Sequence, residues 1–352
     1  MRIYQCGNCR HPVYFNNVVC EKCRGWLGYL PGADRMISLA PGGESWDGLA
    51  PGDPGLRYCA NHRYDVCNWL VTADAPEGLC QACDLNNTIP NLDDPAHLDE
   101  WRRLENAKHR LVYALRRLKL PFTNRMAGKR TPLEFDFLSP DNSDEPVMTG
   151  HADGLVTINT TEADPVHREA TRVQMHERYR TLIGHFRHEV GHYYWDVLIA
   201  ENPTNLVAFR ELFGDDQEDY QEALQRHYKN GPPADWRSNF ISEYATTHAW
   251  EDWAETWAHY LHLLDLLETA HAFGMRVDPV LGPDLMMNAH ADFDPYEEPS
   301  MKRMLAVCIP LIFAVNTLNR GMGRQDIYPF VVNEPVRRKL AFVHEVVRGY
   351  SA

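Results

Sequence analysis

Apolar residues recur at intervals of three and four in three stretches of the chain, which predicts three long amphipathic helices. The first runs from Asp94 to Leu120 and ends before Pro121, the second runs from Asp164 to Ala200, and the third begins near His248. Their apolar positions are Leu98, Trp101, Leu104, Leu111, Val112, Leu115 and Leu118, then Leu182, Ile183, Phe186, Val190, Val197 and Leu198, then Trp250, Trp253, Trp257, Leu261 and Leu264. We therefore expect the larger part of the chain to be mainly helical.

Two short segments between the first two helices have the pattern of strands. They are LEFDFL, Leu133 to Leu138, and GLVTINT, Gly154 to Thr160, and the turn-rich sequence PDNSDEP separates them. The second segment alternates polar and apolar residues and ends in turn residues, which predicts an edge strand. An exposed strand of this kind can bind an extended peptide by strand addition.

The composition limits the classes of protein to which the chain can belong. Its 352 residues exceed one typical domain, and the first 90 differ in character from the rest, so we predict one domain over residues 1–90 and another over residues 91–352. A net charge of -14 disfavours a nucleic-acid-binding protein, because phosphate contacts need clustered Lys and Arg. The chain has neither a transmembrane-length apolar run nor an N-terminal apolar segment with a cleavage site. We expect a soluble, cytoplasmic protein with neither nucleic acid nor membrane as a partner.

Eight of the nine cysteines lie before residue 84 and form two groups. The first group has the spacing C-x2-C-x10-C-x2-C and consists of Cys6, Cys9, Cys20 and Cys23. The second has the spacing C-x7-C-x12-C-x2-C and consists of Cys59, Cys67, Cys80 and Cys83, and His62 could replace one of its first two members. Either group can place four thiolates around one structural zinc ion. Disulfides are the alternative in a secreted chain, but paired C-x-x-C motifs without a signal peptide favour metal ligation in a reducing compartment.

The second predicted helix contains His188-Glu189-Val190-Gly191-His192, which has the form H-E-x-x-H. Residues four apart on a helix lie one above the other, so His188 and His192 can bind one ion while Glu189 points toward its open side. This is the arrangement that a catalytic zinc site needs. The pattern also arises by chance in long chains, in which case the histidines are ordinary helix residues.

The third predicted helix contains two glutamates, Glu251 and Glu255, that lie four residues apart. One of them can bind the ion while the other, one turn along, accepts a hydrogen bond from a ligating histidine. An exposed acidic stripe of a soluble helix has the same spacing, and His248, His259 and His262 lie close enough to compete for the ion. Tryptophans flank the pair and would bury it, which favours a zinc site made of two histidines and one glutamate.

The sequence EDWAETW resembles the E-x-x-A-E-x-aromatic helix of the gluzincin metallopeptidases of the anthrax lethal factor type. Tyr244 stands seven residues before Glu251, where those proteins have a tyrosine beside the zinc. The resemblance implies that Glu251 is the third ligand of the catalytic zinc and that Glu255 supports a histidine ligand from behind.

The chain as a whole is similar to a bacterial family of zinc-binding metallopeptidases with an N-terminal double zinc ribbon. The residues that carry this similarity are CGNC, CEKC, HEVGHYYWD, WEDWAETWAHYLH and LNRGMGRQDIYPFVV. The similarity implies an α+β fold, in which a β-rich double zinc ribbon precedes a zincin-like metallopeptidase domain. That domain would be mainly helical with a small antiparallel sheet.

These residues predict a zinc-dependent hydrolase that cleaves peptide or amide bonds. Glu189 would take a proton from the attacking water and pass it to the leaving amine, and Tyr244 would donate a hydrogen bond to the oxyanion. The substrate would be a peptide or protein, bound as an added strand near Gly154 to Thr160. The alternative is a catalytically silent zincin that acts as a zinc-ribbon protein-binding module, and the intact Glu189 counts against it.

We predict three zinc ions per chain, two in the ribbon and one in the body. Elemental analysis of protein purified without added metal should give close to three, and a mild chelator should remove the body zinc first because its site is open. The variant Cys80→Ser should lower the count by one. A count of two that Cys80→Ser leaves unchanged would show that the second group of cysteines holds no zinc.

Overall fold

The computed structural model describes residues 2–39, 55–124, 132–142, 146–174, 179–280 and 287–351. Contacts within the chain divide it into two compact units. The first comprises Met1–Tyr113 and Phe122–Arg168, and the second comprises Ala114–Pro121 and Glu169–Ala352. The domain boundary between residues 90 and 91 stays a prediction, since these units follow tertiary contacts and divide the chain at other positions.

The first unit begins with three antiparallel hairpins. Their strands are β1 (Tyr4–Gln5) with β2 (Pro12–Val13), β3 (Leu27–Leu30) with β4 (Arg35–Ser38), and β5 (Leu56–Tyr58) with β6 (Leu70–Thr72). Phe15, Tyr29 and Trp69 bury their rings together, with centroids 4.8 Å apart for Phe15 and Tyr29 and 5.1 Å apart for Tyr29 and Trp69. This aromatic cluster joins hairpins that are individually too short to be stable.

A four-stranded sheet and most of helix α1 complete the first unit. The sheet contains β7 (Asn86–Thr88), β8 (Glu134–Leu138), β9 (Gly150–Ala152) and β10 (Leu155–Asn159) in the order β7-β8-β10-β9. Helix α1 (Pro95–Arg117) confirms the first predicted helix, and its apolar face is buried through Trp101, Leu104 and Leu111. The predicted α+β class is confirmed. The sheet is mixed rather than antiparallel, because β8 runs parallel to both β7 and β10.

The prediction that Gly154 to Thr160 forms an edge strand is wrong. β10 pairs with β8 along its whole length and with β9 along residues 155–157. Its backbone groups are already hydrogen-bonded on both sides there, so an added peptide would find no open edge. The alternation of polar and apolar residues reflects the two faces of the sheet. Val156 and Ile158 are fully buried on one face, while the intervening side chains on the other face are half-buried.

The helix predicted from Asp164 to Ala200 is interrupted. α2 spans Pro165–Gln174, α3 spans Leu182–Trp195, and a short π-helical turn, Asp196–Ala200, continues α3. Thr181 has an extended backbone, and its hydroxyl accepts a hydrogen bond from the backbone N–H of Gly184. A threonine in this position caps a helix, and it fixes where the helix that carries the histidine motif begins.

The second unit is built mainly from helices. After α3 come α4 (Pro203–Phe213), α5 (Tyr220–Asn230), α6 (Ala249–Ala272), a short antiparallel pair of β11 (Arg276–Val277) and β12 (Ala289–His290), α7 (Met301–Gly321) and α8 (Glu334–Ser351). α6 is the third predicted helix, and the His248 side chain caps it by accepting a hydrogen bond from the backbone N–H of Trp250. Buried Lys339 of α8 forms an ion pair of 2.5 Å with Asp252 of α6, which ties the C-terminal helix to α6.

α7 is the one described helix that is long and apolar enough, by length and composition, to cross a membrane. Half of this apolar stretch is buried inside the protein, as is usual for a core helix. The apolar character of α7 is therefore weak support for a membrane span.

The backbones of α3 and α6 lie very close together where the two helices cross. A Cβ atom placed on Gly191 of α3 would lie 3.0 Å from Cα of Ala254 in α6 and 3.2 Å from Cδ1 of Trp257. The indole N–H of buried Trp253 donates a hydrogen bond of 2.8 Å to the Gly191 carbonyl. A larger residue would force the two helices apart by a few tenths of an ångström, so the glycine of H-E-V-G-H also helps to determine how closely they pack.

We expect Gly191→Ala to destabilise the second unit by about 1–3 kcal/mol, because the added methyl group overpacks the crossing. The control is Gly349→Ala, since this exposed glycine of α8 has no atom within 4 Å of an added Cβ. That control should stabilise the protein by roughly 0.5–1 kcal/mol through helix propensity. Urea denaturation followed by circular dichroism measures both variants, and a Gly191→Ala protein as stable as wild type would contradict the packing argument.

Candidate metal centre

The two groups of cysteines come together as two separate clusters. In each cluster the four Sγ atoms lie within 4.8 Å of one another, and all eight cysteines are free thiols. In the first, Cys9 and Cys23 are half-buried, whereas every member of the second is buried. Four thiolates converging on one point fit a structural zinc ion, which would be four-coordinate and closed to solvent.

A histidine supports the second cluster, but it is not the histidine considered from the sequence. Nδ1 of His62 lies 2.8 Å from the carbonyl of Cys67, and its ring stacks on Tyr58. Buried His109 of α1 instead places Nε2 3.9 Å from Sγ of Cys80 and 3.8 Å from Sγ of Cys83. Because Nδ1 donates to the Glu105 carbonyl, only the charged imidazolium can also donate an N–H to these sulfurs, and it would stabilise their thiolate form. His109 lies 26 residues after Cys83, so the spacing of the cysteines does not point to it.

The histidines of α3 and the first glutamate of α6 meet at one point. Nε2 of His188 lies 2.9 Å and Nε2 of His192 lies 3.5 Å from Oε2 of Glu251. Burial opposes ionisation of Glu251, but the adjacent histidines outweigh it and hold its pKa well below the usual value. Two imidazole nitrogens and an ionised carboxylate oxygen within 4.8 Å of one another fit Zn²⁺ with an open fourth position.

Glu255 lies behind His188 rather than with the three converging atoms. Its Oε1 is 2.7 Å from Nδ1 of His188. Burial raises the pKa of Glu255, but the hydrogen bond from His188 outweighs burial and lowers it to about 2. The carboxylate therefore keeps the proton of His188 on Nδ1 and leaves Nε2 available as a ligand.

The predicted base follows His188 on α3, and the ring of the predicted oxyanion donor lies close to that histidine. Glu189 is half-buried on α3, and the Tyr244 ring centroid is 5.9 Å from that of His188. Burial and then the charge of Glu251 raise the pKa of Tyr244, so its hydroxyl stays protonated and can donate a hydrogen bond. The rings of Trp250 and His192 pack in a tilted arrangement with centroids 3.7 Å apart, so Trp250 covers that imidazole.

The other histidines of this region are engaged elsewhere. Nε2 of His248 lies 3.0 Å from the carbonyl of Glu218, and Nδ1 of His259 lies 2.9 Å from the hydroxyl of Tyr328. Nδ1 of His262 accepts a hydrogen bond of 2.6 Å from the guanidinium of Arg187. These three histidines are therefore held apart from the group formed by His188, His192 and Glu251.

One residue of the site carries no sequence signal. The hydroxyl of Tyr220, the first residue of α5, donates a hydrogen bond of 2.7 Å to Oε1 of Glu251. Tyr220 belongs to no recognisable motif and precedes Glu251 by 31 residues. Only the packing of α5 against α6 shows that the two residues meet.

Two family profiles match the chain. Residues 97–346 match the family described as "Putative zinc-binding metallo-peptidase", and residues 3–94 match a zinc-ribbon domain. Uncharacterized proteins of two Mycobacterium tuberculosis strains and of Mycobacterium bovis are each 43% identical over 349 residues, which covers 99% of this chain and 95% of each relative. No solved structure matches the chain. The inferred similarity to zinc-binding metallopeptidases with an N-terminal zinc ribbon is confirmed.

The two glutamates of α6 should differ when each is replaced. Glu251→Ala should empty the body metal site, whereas Glu255→Ala should leave it occupied with an affinity about 10- to 100-fold weaker. Competition with a chelator measures both affinities, and Glu222→Ala, an exposed glutamate of α5, is the control that should match wild type. The reverse order of effects would show that Glu255 is the ligand.

Proposed function

Because the chain belongs to the zinc-binding metallopeptidase family, we propose that it is a zinc-dependent hydrolase that cleaves peptide or amide bonds. The observation that carries the proposal is the convergence of Nε2 of His188, Nε2 of His192 and Oε2 of Glu251. These three residues would hold one catalytic zinc ion, and the eight cysteines would hold two structural ones. When bound, the catalytic ion would polarise a carbonyl group and make a nearby water molecule easier to deprotonate.

Each residue around the ion has a separate role. Glu189 takes the proton of the attacking water and later delivers it to the leaving amine. Tyr244 donates a hydrogen bond to the oxyanion that forms at the scissile carbonyl. Glu255 acts through His188, because its hydrogen bond to Nδ1 orients that ring.

The substrate we propose is a peptide or a protein, in keeping with the family. The central strand β10 has no open edge along the residues that pair with β9, so the substrate binds elsewhere than by addition to that strand. We also propose a cytoplasmic location. Cysteines grouped with metal-ligand spacing and not paired as disulfides are typical of proteins in a reducing compartment.

Replacing Glu189 or Tyr244 should separate catalysis from metal binding. Glu189→Gln should retain the fold and three zinc ions and abolish hydrolysis, because an amide cannot take the proton. Tyr244→Phe should retain metal and slow turnover by roughly 10²- to 10³-fold through loss of one oxyanion donor. The assay is a diverse peptide library digested by each protein and read by mass spectrometry.

The two possible failures of this experiment have different meanings. Cleavage that survives unchanged in Glu189→Gln would show that another site or a contaminant is responsible. No cleavage by zinc-replete wild type would favour the catalytically silent zincin that binds a protein partner.

A further inference from the structure

Tyr220 occupies a fixed position beside the metal centre. It begins α5, and the Asp219 side chain caps that helix by accepting a hydrogen bond of 2.8 Å from the backbone N–H of Glu222. The Tyr220 ring packs edge-on against His248 at 5.6 Å and against Trp250 at 6.0 Å. The cap and the two ring contacts leave the hydroxyl directed at α6.

The two carboxylate oxygens of Glu251 have different partners, and Tyr220 is the partner of one of them. Oε1 accepts the hydrogen bond of 2.7 Å from Tyr220, while Oε2 is the atom that faces both histidine ligands. The hydroxyl is the donor of this hydrogen bond, because a carboxylate oxygen can only accept. A carboxylate whose Oε1 is engaged in this way has one oxygen left for an ion.

We propose that Tyr220 is a positioning residue of the metal centre, which restricts Glu251 to coordination through a single oxygen. This inference rests on the metal site of the proposed function. It does not depend on peptide hydrolysis, because its consequences lie in the affinity for metal and in the coordination number. Without the hydroxyl, Glu251 can rotate and bind with both oxygens, which fills the position that a substrate or water needs.

The test compares Tyr220→Phe with wild type. This variant removes one oxygen atom and keeps the ring contacts with His248 and Trp250. The affinity of the body site for zinc, measured by competition with a chelator, should fall by about 10- to 100-fold, as for other residues that orient a ligand. The two ribbon zinc ions should be retained. Tyr228→Phe, at an exposed tyrosine of the same helix, is the control and should bind zinc as wild type does.

The coordination number gives a second readout, which a purely structural role would not change. With Co²⁺ in the body site, wild type should show the intense visible absorption of four-coordinate Co²⁺. Tyr220→Phe should show the weaker bands of a site with five or more ligands. Tyr220→Met, which also lacks the hydroxyl, repeats both measurements if the phenylalanine variant does not fold.

Unchanged zinc affinity together with an unchanged Co²⁺ spectrum in the variant would overturn the proposal. A wild-type protein that binds zinc only in its ribbon would overturn it as well, along with the proposed function. Weakened zinc binding in Tyr220→Phe, combined with no cleavage of peptides by wild type, would support the role of Tyr220 and contradict the hydrolase alone.

Discussion

The proposed metal centre depends on the close crossing of α3 and α6. His188 and His192 come from one helix and Glu251 from the other, so the distance between the two backbones sets the distances between the ligand atoms. The missing side chain of Gly191 permits the approach, and the buried hydrogen bond from Trp253 fixes its register. A site built on two packed helices is more precise than one built on loops.

A second set of side chains holds each ligand in place. Glu255 binds the far nitrogen of His188, Tyr220 binds the far oxygen of Glu251, and Trp250 covers the ring of His192. Buried polar groups are costly when they lack partners, and hydrogen bonds such as those of Glu255 and Tyr220 reduce this cost. These hydrogen bonds allow polar residues of α3 and α6 to be buried inside the second unit.

Spacing within a helix could be read from the sequence, whereas contacts between distant elements could not. The pairs His188 with His192 and Glu251 with Glu255 follow from the helical repeat. The resemblance to a known helix indicates which glutamate is the ligand and which one supports a histidine. The break before α3 depends on a capping threonine inside a helical pattern, which periodicity does not detect. The alternation of polar and apolar residues in β10 is the same in a central strand as in an edge strand, so it could not show that β10 is central. Tyr220 and His109 meet their partners only through tertiary packing, since neither lies in a motif.

The donor set of the body site has a consequence for which metal the protein acquires. Imidazole nitrogens are good ligands for Zn²⁺, Cu²⁺, Fe²⁺ and Ni²⁺, and three donors from His188, His192 and Glu251 are too few for Ca²⁺, which takes six to eight oxygens. Among the transition metals, such a site binds Cu²⁺ more tightly than Zn²⁺. A site with these donors would therefore exclude calcium by its own chemistry, but it would be filled with zinc only where the concentration of free copper is low.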